Sequence, residues 1–367
     1  MRYIISGGGT GGHIFPAIAI ANALCDLDKE AEILFIGAKG RMEMEKVPEA
    51  GYKIEGLWIS GLQRRLTYKN ISFPFKVAGS LLKALQIVKS FKPDVAIGVG
   101  GYASGPTLRV SAFSKVPCVI QEQNSYPGIT NKVLARRAEK ICVAYEGMEK
   151  FFNPSKIVFT GNPVRQSITQ CDKDRNEILQ ELGLDSGKPV LLVVGGSLGA
   201  RTINHSIAAS VQLFAEHGIQ VLWQTGKLYI DEANQIIRQH NLHCVKAFSF
   251  ISAMNEFYKV SDMIVSRAGA IAISELCLIG KPAILIPSPN VAEDHQTKNA
   301  MALVNKDAAM IIRDSEAVEK LGTLVVNLFK DEVQRYRFGK NISKLAKPNA
   351  SNDIAWEIIK LAQQKKK

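Results

Sequence analysis

His13 follows glycines at positions 7, 8, 9, 11 and 12, and Pro16 stands three residues beyond it. An imidazole is the side chain whose ordinary pKa suits a base near neutral pH. Glycines let the backbone approach a ligand closely, and a helix opened by a proline presents amide dipoles that favour negative charge. The stretch therefore reads as a binding surface with a base beside it. On structural grounds alone, His13 would cap the helix and the glycines would turn the chain. Further runs carry similar chemistry: Gly-Gly-Tyr-Ala-Ser-Gly-Pro at 100–106, Gln-Glu-Gln-Asn at 121–124, Gly-Gly-Ser-Leu-Gly-Ala at 195–200 and Ser-Arg-Ala-Gly-Ala-Ile-Ala-Ile-Ser-Glu at 266–275. The small residues after Ser266 suit a phosphate at a helix N-terminus, and Glu275 suits hydrogen bonds from ribose hydroxyls. Asp294, His295, Gln296 and Asn299 follow a Pro-Ser-Pro turn, as a site or an ordinary polar loop.

Elements that position these runs are legible as alternating strands and helices. Strands are expected at 3–6, 32–36, 95–99, 116–121, 140–143 and 157–160, then at 190–194, 221–224, 245–248, 263–265, 283–286 and 309–312. Helices are expected at 16–27, 77–90, 129–137, 203–216 and 273–278, with a last one near 352–364. Such alternation predicts an α/β fold with parallel sheets and right-handed crossovers. The pattern occurs twice, with a boundary near residue 163, giving domains 1–162 and 163–340. Each glycine-rich turn falls at the carboxyl end of a strand, where open α/β sheets bind ligands.

Composition narrows the class. The 367 residues are 46% hydrophobic and 22% charged, which excludes disordered and collagen-like chains. No apolar run has the length of a membrane span, and glycines interrupt the N-terminus where a signal peptide would need an apolar core. A cytoplasmic protein is expected. Six cysteines are scattered singly, so neither a zinc site nor a disulfide scaffold is indicated. Net charge is +12, and residues 56–93 hold seven Lys/Arg and no acid, mixed with Trp58, Phe73, Phe75, Leu81, Leu82 and Leu85. That mixture suits an anionic membrane surface, or a helix packed on its own domain with a solvated basic face. No nucleic-acid recognition module is present.

Residues 7–12 formally satisfy the dinucleotide fingerprint. The ribose acid that fingerprint needs is missing, because Ile36 is followed by Gly37, Ala38 and Lys39. Lys39 and Arg41 could in principle face an NADP phosphate instead. Asp-Leu-Asp at 26–28 and Asp-Lys-Asp at 172–174 follow no buried strand and read as surface acids. Backbone amides and helix dipoles, not a metal, are then expected to stabilise a diphosphate.

The motifs at 8–16, 100–106, 122–124, 161–165, 195–200 and 266–275 together resemble the MurG family of peptidoglycan N-acetylglucosaminyltransferases. The resemblance spans nearly the whole chain. It implies a GT-B architecture, two Rossmann-like domains facing a cleft, with a C-terminal helix at about 341–367 packing back on the first domain. It implies UDP-N-acetylglucosamine as donor, no cofactor or required metal, and lipid I as acceptor, an undecaprenyl-diphosphate MurNAc-pentapeptide. The donor set implied is Thr10, Gly11, Gly12, Asn124, Arg165, Ser197, Ile251, Ala270, Ile271, Ala272, Ile273, Ser274, Glu275, Gln296 and Asn299. Gly101 and Tyr102 would lie on the acceptor side. Arg64, Arg65, Lys69, Phe73, Phe75 and Lys76 would meet an anionic membrane at its cytoplasmic face, with cell-wall synthesis proteins as further partners. The family usually carries histidine where this chain has Gln121, so a general base rests on His13 or Glu122. Competing expectations are a UDP-GlcNAc epimerase on a similar frame and a membrane-associated nucleotide-sugar-binding module.

Overall fold

The computed structural model describes residues 1–61, 73–196 and 199–366. Arg64, Arg65, Lys69 and Ser197 therefore lie outside the described residues. The chain divides into two compact units, Met1–Val164 with Asn349–Lys367, and Arg165–Pro348.

In the first unit, strands β1 (Arg2–Gly7), β2 (Glu32–Ala38), β3 (Lys53–Leu57), β4 (Val95–Gly100), β5 (Cys118–Glu122), β6 (Lys140–Val143) and β7 (Ile157–Phe159) form one sheet. Its order is β3-β2-β1-β4-β5-β6-β7, and every pairing is parallel. Successive side chains of a strand point to opposite faces. Tyr3 and Ile5 accordingly join Ile14, Ile20 and Leu24 of the helix Gly11–Leu27, and Ile354 and Ile358 of the helix Ala350–Lys366. Ile4 joins the opposite core, with Ala84 and Ile87 of the helix Phe73–Phe91 and Leu108 of the helix Ser104–Phe113. Burying each large apolar side chain is worth about 1.5–3 kcal/mol, so both faces contribute.

Three details depart from the sequence expectations. β3 is an added edge strand, where Lys53 and Glu55 interrupt the apolar run that would mark it. The first helix starts at Gly11, which leaves Pro16 inside it rather than at its opening. Near the C-terminus, the helix Glu332–Ser343 stays in the second unit, and only Ala350–Lys366, beyond Pro348, packs on the first sheet.

The second unit repeats the plan with β8 (Val190–Val194), β9 (Gln220–Gln224), β10 (Val245–Phe248), β11 (Met263–Ser266), β12 (Ala283–Leu285) and β13 (Met310–Ile311). Their order is β10-β9-β8-β11-β12-β13, again all parallel. Leu191, Val193, Ile203, Ile207, Phe214 and Trp223 lie in its core. Strand order reverses between β1 and β4 in one unit and between β8 and β11 in the other. Those reversals are where doubly wound sheets open a crevice for ligand. The loops after these four strands are the glycine- and small-residue-rich runs at 7–12, 100–106, 195–200 and 266–269.

Candidate functional site

His13 lies in the first turn of the helix Gly11–Leu27, whose N-cap is Thr10. Its Nδ1 is 3.1 Å from the Gly8 carbonyl oxygen and 3.4 Å from Thr10 Oγ1. A carbonyl can only accept, so Nδ1 donates to it and the neutral ring keeps its lone pair on Nε2. The loop after β4 reaches this ring because it lacks side chains. A Cβ on Gly100 would sit 2.6 Å from His13 Cδ2 and 2.8 Å from Nε2, and one on Gly101 would collide with the Gly8 carbonyl. Both glycines hold φ near +90° (99° and 87°), a region other residues rarely adopt. Ser104 secures the pair of loops: its hydroxyl lies 2.7 Å from the carbonyl of Ser6 and 2.8 Å from that of Gly100. Tyr102 is exposed at the tip.

One carboxylate in this unit was not signalled by any local pattern. Glu43 is wholly buried, and its two oxygens accept from the N–H groups of Gly9 at 2.9 Å and Ala38 at 3.0 Å.

Glu122, the other candidate base, faces inward at the end of β5. It accepts from the N–H groups of Asn124 and Gly128 at 3.0 and 3.2 Å, and from the side-chain amides of Asn131 and Asn124 at 2.8 and 3.3 Å. Burial raises its pKa, and these donors pull the other way. With both oxygens engaged, the geometry makes Glu122 an anchor for the loop at 123–128. Gln121 is also buried, donating to Asn162 Oδ1 at 2.9 Å and accepting from the Gln123 amide. Its position serves an internal amide network.

In the second unit, the loop at 195–200 leads into the helix Arg201–Ala208, and β11 leads through Gly269 into the helix Ala270–Ile279. Asp314 ties both starts together. It accepts from the Thr202 hydroxyl at 2.8 Å and from the Arg267 guanidinium, which also donates to the carbonyls of Ile286 and Pro287 at 3.1 and 3.2 Å. Ala270, Ile271, Ala272, Ile273 and Ser274 form the opening of the second helix, whose ladder begins with the Ile273 N–H donating to the Gly269 carbonyl at 2.9 Å. Glu275 accepts from Tyr258 Oη at 3.2 Å, and its other oxygen is 4.0 Å from the exposed Arg165 guanidinium. Burial raises the Glu275 pKa, while Arg165 and Tyr258 oppose that shift.

Ile251, Gln296 and Asn299 sit on the segments following β10 and β12, at the same carboxyl edge of the sheet as the helix start. Ile251 is buried. Gln296 Oε1 accepts from the Ser288 N–H at 2.8 Å. Asn299 is wholly buried with its amide 3.5 Å from the Ala268 carbonyl, so it braces the loop rather than lining open surface. Among the described residues, no group of three or more His, Cys, Asp or Glu is placed to hold a metal.

On the helix Phe73–Phe91, Phe75 is 71% and Leu82 65% exposed, next to an exposed Trp58. Lys76 lies 5.7 Å from the Trp58 ring centroid and donates to Ser60 Oγ at 3.1 Å. Phe73 is half-buried. Among the described residues no helix is long and apolar enough to cross a membrane.

Comparison with known proteins matches residues 3–143 to the glycosyltransferase family 28 N-terminal domain and residues 190–354 to the family 28 C-terminal domain. A Bacteroides thetaiotaomicron protein is 53% identical over 365 residues, covering 99% of this chain and 98% of its own. A Cytophaga hutchinsonii protein is 53% identical over 366 residues, covering 100% and 98%. Both are named "UDP-N-acetylglucosamine--N-acetylmuramyl-(pentapeptide) pyrophosphoryl-undecaprenol N-acetylglucosamine transferase". The crystal structure of Acinetobacter baumannii MurG superposes with a TM-score of 0.79 at 26% identity, covering 98% of this chain and 99% of that one. A UDP-GlcNAc 2-epimerase from Neisseria meningitidis, bound to UDP-GlcNAc, shares the fold at a TM-score of 0.70 and 14% identity, covering 98% and 100%.

Proposed function

The chain belongs to the MurG family of N-acetylglucosamine transferases, and from that premise we propose how its residues carry the reaction. It is a glycosyltransferase that moves N-acetylglucosamine from UDP-GlcNAc to lipid I, giving lipid II for peptidoglycan. Full-length identity of 53% to transferases of that name carries this conclusion.

His13 is the general base. Its Nε2 takes the proton of the MurNAc C4 hydroxyl as that oxygen attacks the anomeric carbon, the bond to UDP breaks, and the product is an inverted β-1,4 linkage. The Gly8 carbonyl supports this role by holding the proton on Nδ1. Glu122 anchors its loop and takes no proton. Charge developing on the departing UDP is met by the N–H groups at the start of the helix Ala270–Ile279 and by the turn at 195–200, without a metal. Glu275 accepts from the ribose, the Ile251 backbone meets the uracil, and Gln296 meets the sugar. Gly101 and Tyr102 face the acceptor. Phe75, Leu82 and Trp58, flanked by Lys76, rest on an anionic membrane at its cytoplasmic face, where the lipid-linked acceptor lies.

The test is turnover with UDP-GlcNAc and a lipid I analogue. General-base catalysis is worth about 10²–10⁴-fold, so His13→Ala is expected to lose that much kcat while donor affinity is kept. Near-normal turnover in His13→Ala would remove His13 from the role. Conversion of donor alone into a UDP-ManNAc product would replace the transferase with an epimerase.

A further inference from the structure

We infer that Glu43 is a positioning residue for catalysis, holding the first glycine loop in the shape that sets the proton of His13. The inference rests on the reading of His13 as the base. Glu43 opens the short helix Glu43–Glu49 and is wholly buried. Its carboxylate spans two separate pieces of backbone: Oε2 accepts from Gly9 N–H at 2.9 Å and Oε1 from Ala38 N–H at 3.0 Å. One acid thus pins the loop after β1 to the end of β2.

Two glycines make room for it. A Cβ on Gly8 would run into the Glu43 carboxyl group, and one on Gly37 would lie 2.6 Å from its Cγ. Gly8 has no need of glycine for its dihedrals, since it is absent from the residues with positive φ. Space for the carboxyl is what its missing side chain provides. From there the chain of contacts is short. The Gly8–Gly9 peptide is held by Glu43, and the Gly8 carbonyl both receives His13 Nδ1 and abuts Gly101. If the peptide rotates, the carbonyl leaves Nδ1 and its hold on the Nδ1 proton is lost, which weakens the preference for a lone pair on Nε2. Glu43 touches no reacting atom, so its effect passes wholly through this geometry.

Glu43→Gln keeps the size and loses one acceptor, leaving a backbone N–H facing an amide NH2. Misplacement of about 1 Å costs on the order of 10²-fold in rate, so kcat is expected to fall about 10–100-fold, with KM for UDP-GlcNAc within about twofold. Selective ¹⁵N labelling of histidine reads the tautomer directly. The wild type should show His13 protonated on Nδ1 above the imidazole pKa, and the variant a mixture. A folded Glu43→Gln with unchanged kcat, or with lowered kcat and an unchanged His13 tautomer, overturns the inference. Gly8→Ala pushes on the same carboxyl from the opposite side and should give the same signature, which keeps the test available if Glu43→Gln does not fold. His13→Ala separates the two readings. If it retains turnover, the base assignment fails while the tautomer measurement still decides whether Glu43 sets the loop.

Discussion

Replacing Asp314 by alanine should loosen both helix starts of the second unit at once. Asp314 and Arg267 are 19% and 17% exposed, so solvent screens their interaction little. Losing a hydrogen bond to a charged group costs about 1.5–3 kcal/mol, and losing the Thr202 hydroxyl's acceptor about 0.5–1.5 kcal/mol more. Arg267 keeps the Ile286 and Pro287 carbonyls, so the guanidinium is not stripped of partners. That places the total at about 2–4 kcal/mol, below the upper range for breaking a fully buried pair. Because Thr202 and Arg267 adjoin the two turns assigned to the diphosphate, UDP affinity should fall by about tenfold or more, equivalent to about 1.4 kcal/mol. Thermal unfolding and titration calorimetry with UDP read the two effects. A double-mutant cycle with Arg267→Met isolates the bridge, for which a coupling of about 1–2 kcal/mol is expected. Additivity within about 0.5 kcal/mol together with unchanged UDP affinity would refute the reasoning.

Glu275 has a folded-state pKa above its ordinary value because burial disfavours the charged form, so its contribution to stability is present below the ordinary carboxylate range and lost as pH rises through the raised value. Glu275→Gln cannot ionise and should therefore gain stability relative to wild type as pH rises from the ordinary carboxylate range through the raised value, in thermal unfolding; a constant difference counts against burial as the dominant cause. Gly101→Ala must place a Cβ against the Gly8 carbonyl at a φ of +87°, which should cost about 1–3 kcal/mol and most of the turnover; an active, equally stable variant would mean that the two loops are not in close register. Neutralising Arg64, Arg65, Lys69 and Lys76 should weaken sedimentation with anionic vesicles, more at low salt than at high, and Phe75→Ser with Leu82→Ser should weaken it at every salt concentration; unchanged binding assigns these residues to a solvated face.

What could be read from the sequence divides according to where each residue's reason lies. Gly100 and Gly101 are legible because their dihedrals and close approach admit no other residue, and that requirement shows within the motif itself. Parallel strands are legible because buried β-rich runs repeat between helices, whereas β3 alternates charge along an edge and leaves no such run. Glu122 ends a strand among polar residues, a pattern that points toward a site, but the direction of its side chain depends on the loop that follows, and here Asn124, Gly128 and Asn131 draw it inward. Glu43 and Asp314 left no trace at all. Glu43 lies 34 residues from the Gly9 it holds, and Asp314 lies 112 residues from Thr202 and 47 from Arg267. Both connect segments that only the closed sheets bring together, so no local spacing encodes them. Residues proposed to touch a ligand are of particular types in particular turns, and such types can be picked out along the sequence. A carboxylate that holds such a turn in place needs only to arrive there, from any point in the chain that the fold allows.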